Sequence, residues 1–284
     1  MAAKTCDDHR RADGAAAAMR PRRAAPRRVA LPLALAAALG LHIAAATADP
    51  APQLDGAIAR YRALLLQDVD RTVAGAEKLR ARIVAEDLAG AKQAWLEARV
   101  GWERSEVFTT GFVPELDKDI DAWPNGTTGF HAIEAKLFGT GRTDAAEESE
   151  ALLENLTALR AQVRGVALTP QGLLDGIARL AYEVGESKID GGESRVSGTS
   201  LDDMRNNLAG IDLAWHTIFA AALQARDGAL AAEVKQRIDA LGAMLAHAEL
   251  RRLDPDQLRA ASEGLVLALQ TAAPRLALQR PTLD

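Results

Sequence analysis

The fold is decided by residues 54–83, which read LDGAIARYRALLLQDVDRTVAGAEKLRARI. Apolar or small side chains recur there at steps of three and four residues, at Ile58, Tyr61, Leu65, Val69, Thr72, Ala76, Leu79 and Ile83. A helix completes a turn every 3.6 residues, so this spacing puts all of them on one face. The stretch therefore predicts a long helix with one buried stripe, which other helices must cover.

The rest of the chain predicts further helices. The next one starts at Asp87 and runs to about Phe108, and a short one covers 129–138, with an irregular stretch over 111–128 between them. Later helices are expected over 144–165, 169–187, 200–228, 229–250 and 254–273. Three of their starts carry a capping signal: Asp144 with Glu147, Thr169-Pro170 and Asp254-Pro255.

Composition agrees with this pattern. The chain has 284 residues, of which 48% are hydrophobic and only 4% aromatic. Ala, Leu, Glu and Arg are frequent, and these residues lose little conformational freedom in a helix. Without any strand pattern, the sequence predicts an all-α antiparallel helical bundle, arranged as two packed four-helix-type lobes.

Residues 1–48 differ from the rest and resemble a secretory signal. Basic residues are followed by an apolar run over 29–43 and by Ala46-Thr47-Ala48. A basic region, a short apolar stretch and an A-x-A site are the three parts of such a signal. We expect cleavage after Ala48 and a mature domain over 49–284. An uncleaved anchor is the alternative, and either Met1 or Met19 can be the start.

Charge and cysteine content restrict the function. The whole chain has a formal net charge of −5, and residues 1–48 carry eight Lys or Arg and three Asp or Glu, which leaves −10 for the mature part. An acidic domain is not expected to bind nucleic acid through its phosphates. The single cysteine, Cys6, lies in the leader. Any metal site of the mature part must therefore use carboxylates and histidines.

Residues 95–138 concentrate such side chains. His131 and Glu134 are three residues apart on one predicted helix, and Glu103 and Glu106 have the same spacing on another. Side chains at this spacing share a helix face. Three aspartates lie between the two pairs: Asp117, Asp119 and Asp121. An oxygen-rich cluster with one imidazole suits iron, manganese or zinc.

Each of these features also has an ordinary structural interpretation. A single His/Glu pair on a helix is usually a hydrogen bond at the surface, and a Glu/Glu pair is usually an exposed face. Aspartates in a loop often cap helices or bond to their own backbone. The residue pattern alone leaves the metal site and these alternatives open.

The order of the motifs resembles the imelysin family. Ala98-Arg99 is followed by W-E-R-S-E at 102–106, L-D-x-x-I-D-A at 116–122 and G-F-H-x-x-E at 129–134. A later stretch, E-V-x-x-S-K-I-x-G at 183–191, is similar to another family segment. The EfeO branch has tyrosine where this chain has Trp102. Residues 192–201 are closer to the imelysin branch than to EfeO.

The resemblance implies a helical bundle with a metal site in a cleft. The family positions map onto Glu103, Glu106 and Asp121 as acidic ligands, and onto His131 and Glu134 as the family pair. Glu183 is either a further ligand or a residue at the boundary of the core.

The resemblance also implies a function. The expected activity is that of an exported, periplasmic metal-binding protein of iron acquisition, either free or associated with the membrane. Its cargo would be ferrous or ferric iron, or zinc or manganese. Its partner would be an inner-membrane iron permease or an outer-membrane receptor system. The alternatives are a metallopeptidase of the imelysin type and a helical scaffold with a structural metal. Against the peptidase alternative, the chain lacks the H-E-x-x-H zinc motif.

Overall fold

The computed structural model describes residues 51–121, 127–189, 193–246 and 249–283. These ranges contain helices and no strand, so the all-α prediction is confirmed. The α-helices are α1 Ala51–Val84, α2 Leu88–Phe112, α3 Pro114–Ile120, α4 Gly129–Glu134, α5 Ala146–Gly165, α6 Pro170–Glu186, α7 Ser200–Ala214, α8 Ala220–Gln224, α9 Gly228–Ala246 and α10 Pro255–Ala272. Short π-helical turns continue α4 over Ala135–Thr140 and α7 over Trp215–Phe219.

The predicted stripe of α1 is buried along its whole length. Tyr61, Leu65, Val69 and Leu79 are all at most 1% exposed. This face packs on α2 and α5. The periodicity of one helix therefore located a large part of the core correctly.

Helix α2 lies at the centre of the bundle, because it packs against α1, α6 and α7. Small residues permit these close approaches. A Cβ atom on Gly210 of α7 would lie 2.4 Å from the carbonyl oxygen of Arg104 on α2. Several polar side chains of α2, among them Arg99 and Glu103, therefore lie between helices.

The second half of the chain packs mainly through α6. This helix contacts α2, α7 and α10, and α9 contacts both α7 and α10. The number of lobes stays a prediction.

Two expectations about local structure were wrong. The stretch 111–128 contains α3, which starts with Pro114 at its first position and has Glu115 and Asp117 in its first turn, where acidic residues favour a helix. The predicted capping box at Asp144 does not form. Ala145 is the N-cap of α5, and the carboxylate of Asp144 pairs with Arg142 at 2.6 Å.

The other two capping predictions are confirmed. The Thr169 hydroxyl accepts a hydrogen bond from the Gly172 amide at 3.1 Å, and Pro170 opens α6. The Asp254 carboxylate accepts from the amides of Asp256 and Gln257 at the start of α10. The predicted leader, residues 1–48, lies outside the described residues. Within the described ranges, no helix combines the length and apolar character needed to cross a bilayer.

Candidate metal centre

Helix α2 supplies the deepest carboxylate of the site. Arg99, Glu103 and Glu106 follow one another at four and three residues, so they share one face of α2. Glu103 is fully buried and Arg99 is 2% exposed. A buried carboxylate is tolerated only with charged or hydrogen-bonding partners, and this face has both.

A glycine brings Asp121 and His131 together. Asp121 ends α3, and Gly129 starts α4 with φ +64°, a conformation that favours glycine. A Cβ atom on Gly129 would lie 2.0 Å from the carbonyl oxygen of Ile120. The two helix ends can touch only because this side chain is absent. As a result, His131 Nε2 lies 3.2 Å from Asp121 Oδ1.

The other ring nitrogen of His131, Nδ1, is fixed by a hydrogen bond. Nδ1 is 2.9 Å from Oε2 of Glu134. Glu134 also accepts hydrogen bonds at Oε1 from the Ser197 amide at 2.7 Å and hydroxyl at 2.6 Å. Nδ1 therefore carries a hydrogen, and Nε2 is the nitrogen left to bind an ion when the ring is neutral. Nε2 is buried and faces Asp121 Oδ1 at 3.2 Å, without the geometry of a hydrogen bond.

These contacts shift the pKa values of the pair in opposite directions. Burial opposes protonation of His131, but Asp121 and Glu134 outweigh it and raise the pKa of His131. Burial also favours neutral Glu134, but the hydrogen bonds from His131 and Ser197 outweigh it and lower the pKa of that carboxyl. Glu134 is thus an anion that fixes the orientation of the ring.

We name five side chains the acidic cluster: Glu103, Glu106, Asp121, Glu193 and Asp203. Four of these side chains, together with His131, form two overlapping groups of potential ligands. Oxygen or nitrogen atoms of Asp121, His131 and Glu193 all lie within 4.8 Å of one another, and so do oxygens of Glu103, Glu106, Asp121 and Glu193. Asp121 and Glu193 belong to both groups.

Two cations balance part of this negative charge. Arg99 Nη1 donates to Asp121 Oδ1 at 2.8 Å, and its other nitrogens pair with Glu103 and Asp203. Lys188 Nζ lies 2.9 Å from Glu103, 3.0 Å from Glu193 and 3.3 Å from Glu106. Even with these two cations, the acidic cluster and Glu134 leave the site net negative.

Burial, with a further contribution from neighbouring carboxylates, raises the pKa of three of these acids. Burial raises the pKa of Glu193 to about 7, and Glu103 and Asp121 add to the shift. Burial raises the pKa of Asp203 to about 6. Burial and the neighbouring Glu103 also raise the pKa of Glu106. A cation placed here would favour the ionised forms of all three.

A cavity of about 260 Å³ opens beside the acidic cluster. Glu106, Asp121, Lys188 and Glu193 line it, together with Glu183 from α6. Glu183 pairs with Arg179 at 3.6 Å and belongs to neither group of close ligand atoms. Carboxylates of the acidic cluster thus line part of a cavity.

The structure thus brings most of the predicted residues together. Glu103, Glu106 and Asp121 form one group, and His131 joins Asp121. Glu134 contacts the ring of His131 and not the acidic cluster, and Glu183 lines the cavity. Whether any of them binds a metal stays a prediction.

Sequence reasoning missed half of the charged site. Arg99 and Lys188 occur in the quoted motifs and Glu193 in the stretch 192–201, but no spacing rule indicates that they meet. Asp203 and Asn207 lie on α7. Nothing in their sequence distance from α2 indicates that they contact Arg99 and Glu103. The Asn207 side chain donates to Glu103 Oε2 at 2.9 Å.

The donor set fits a borderline metal ion. It offers several carboxylate oxygens and one imidazole nitrogen, which suit iron, manganese and zinc. The buried Nε2 of His131 lies 3.2 Å from Asp121 Oδ1 without forming a hydrogen bond of good geometry, so it places an imidazole nitrogen beside the carboxylate oxygens.

Similar proteins include curated iron-uptake components. The chain is 31% identical over 188 residues to an Efem/EfeO family lipoprotein of Staphylococcus haemolyticus, covering 62% of this chain and 65% of that protein. It is 32% identical over 176 residues to the iron uptake system component EfeO of Escherichia coli, covering 58% of this chain and 47% of that protein. The chain thus spans about half to two thirds of the length of these relatives.

A solved structure has the same fold. The iron-regulated protein A precursor of Parabacteroides distasonis superposes with a TM-score of 0.62 at 18% identity, over 78% of this chain and 95% of the other. The family model described as Imelysin matches residues 57–127 and 125–276, most of the chain. The chain belongs to the imelysin family.

Proposed function

We propose that the protein is an exported component of iron uptake that captures iron, or a similar divalent cation, at the acidic cluster and His131. The observation that carries the proposal is the buried Nε2 of His131, 3.2 Å from Asp121 and close to Glu193. The curated relatives named as iron-uptake components support the cargo. The lipoprotein relative supports a location outside the cytoplasm, with the leader over 1–48 as the export signal.

The chemistry of the site suits capture and later release. Carboxylates and one imidazole bind ferrous iron through oxygen and nitrogen, without the thiolates that would hold it more firmly. The net negative charge attracts a cation, and the cavity beside the cluster gives it access. A membrane permease or receptor that accepts the ion would complete the uptake system.

Calorimetric titration of the metal-stripped protein tests the proposal. Ferrous, ferric, zinc and manganese ions are titrated into the wild type and into Asp121→Asn and His131→Ala. We expect saturable iron binding that weakens by at least about tenfold in each variant. Glu97→Gln, on the exposed part of α2, is the control and should bind like the wild type. Failure of the wild type to bind any of the four ions would refute the proposal.

A further inference from the structure

Lys188 pairs with carboxylates that belong to the candidate metal centre, and one of them, Glu193, is also in the group that contains His131. Its ammonium group contacts oxygens of Glu103, Glu106 and Glu193 within 3.3 Å. The same three carboxylates, with Asp121, form the larger group of close ligand atoms. A lysine surrounded by three carboxylates is in the position of a cation bound by three anionic ligands.

The lysine is buried with almost no exposed surface. It is 2% exposed, and Glu103 beside it is fully buried. Three carboxylates lie within 3.3 Å of its Nζ and supply the partners that a buried ammonium group needs. Lys188 therefore competes with any other cation for these oxygens.

The position of Lys188 in the chain leaves its side chain room to move. Lys188 follows the C-terminal end of α6 by two residues, so it is not within the helix itself. It lines the cavity of about 260 Å³, whose wall also contains Glu183 and Asp117. The Glu183 side chain is 33% exposed, against 11% for Glu193, and with Asp117 it offers a second acidic environment for a displaced ammonium group.

We propose that Lys188 is a tethered counterion that occupies the carboxylates of the metal centre, and that an incoming metal ion displaces it toward the cavity. The inference rests on the proposed function. In this proposal Lys188 affects both the affinity and the specificity of the site. The lysine stabilises the metal-free site and limits how tightly the ion is held. Only a cation that binds the carboxylates more strongly than an ammonium group does is retained, which favours a divalent or trivalent ion over monovalent ions.

Chemical labelling of the wild type tests displacement directly. The full-length protein is treated with an N-hydroxysuccinimide ester, with and without saturating ferrous iron under anaerobic conditions, and each lysine is quantified by mass spectrometry. Lys188 should be protected without iron and should become several-fold more reactive with iron. Lys78, an exposed lysine paired with Glu97, is the internal control and should react equally in both states.

A variant tests the effect on affinity. Lys188→Met keeps a side chain of similar length but removes the competing charge, so we expect iron affinity to rise by at least about tenfold. Lys78→Met is the matched control and should leave affinity unchanged. If Lys188→Met does not fold, the labelling experiment alone tests whether iron displaces Lys188.

The outcomes separate the two proposals. Iron binding with Lys188 still protected, or no gain in affinity for a folded Lys188→Met, would overturn the displacement model and leave the proposed function intact. No iron binding by the wild type would overturn both.

Discussion

At the scale of single residues, Glu134 is best understood as the residue that orients His131. It accepts a hydrogen bond from Nδ1 and is itself held by the amide and hydroxyl of Ser197. Residues that fix a metal-binding histidine in this way contribute strongly to affinity although they do not touch the ion.

Replacing Glu134 should therefore weaken metal binding. For Glu134→Gln we expect iron affinity to fall by about 10–100-fold, because the neutral amide no longer fixes the ring and its tautomer. Titration calorimetry measures the change, and Glu148→Gln, which affects only the pair with Lys136, serves as control. An affinity equal to that of the wild type would show that Glu134 has no positioning role.

Titration of the buried acids gives a second prediction at this scale. The pKa of Glu193 is raised to about 7, so the folded state binds more protons than the unfolded state, whose glutamate titrates near 4.5. His131 acts in the same direction, because its raised pKa stabilises the fold below about 6.5 and this contribution is lost as pH rises through the folded pKa.

The metal-free protein should therefore lose stability as pH rises from 5.5 to 8. We expect a decrease on the order of 1–3 kcal/mol in the free energy of unfolding, measured by urea denaturation at the two pH values. Glu193→Gln removes the carboxyl that loses its proton and should reduce the decrease. A stability that rises over this interval would contradict the assigned pKa shifts.

These residues also show how far a sequence can define a site. The i, i+3 spacing identified both His131–Glu134 and Glu103–Glu106, because neighbours on a helix face are fixed by local geometry. Lys188, just after α6, and Asp203, on α7, lie 85 and 104 residues along the chain from their partners Glu103 and Arg99. Such contacts depend on how the helices pack, which no local spacing indicates.

At the scale of elements, the junction between α3 and α4 positions the site. Gly129 has φ +64°, and its missing Cβ lets the start of α4 lie against the carbonyl oxygen of Ile120. The sequence predicts the short helix that starts at Gly129, but it predicts an irregular stretch over 111–128 and not α3. Pro114 holds the first position of α3, where proline is favourable.

Gly129→Ala should disturb this junction. We expect a loss of at least about 2 kcal/mol of stability, since the left-handed backbone becomes strained and the new methyl group collides with Ile120. Gly141→Ala is a matched control: Gly141 has φ +67° but open space around its Cβ position, so only the backbone strain of about 1 kcal/mol should appear. Urea unfolding measures both, and equal losses would mean that the close contact is unimportant.

The helices themselves were largely predictable. The stripe of α1 and the caps at Thr169 and Asp254 are local patterns with a direct physical cause, and all three are confirmed. The cap at Asp144 does not form: α5 starts one residue later than predicted, with Ala145 as its N-cap, and the Asp144 carboxylate pairs with Arg142.

At the scale of the whole molecule, the bundle holds a net negative site at the contacts of α2 with its neighbours. A bound cation would remove repulsion among the acidic cluster and stabilise the folded state only. Iron at about 100 times its dissociation constant should add about 2.7 kcal/mol to the free energy of unfolding and raise the melting temperature by roughly 5–10 °C. Differential scanning calorimetry measures the shift, and Asp121→Asn should show less of it. A melting temperature that iron leaves unchanged would contradict binding to the folded state.

The most direct test is anomalous diffraction at the iron absorption edge from crystals of the iron-loaded protein. A peak is predicted at about 2.0–2.3 Å from His131 Nε2, within bonding distance of carboxylate oxygens of Asp121 and Glu193. A peak bound only at other residues, or none at saturating iron, would contradict the assignment of this cluster as the metal centre.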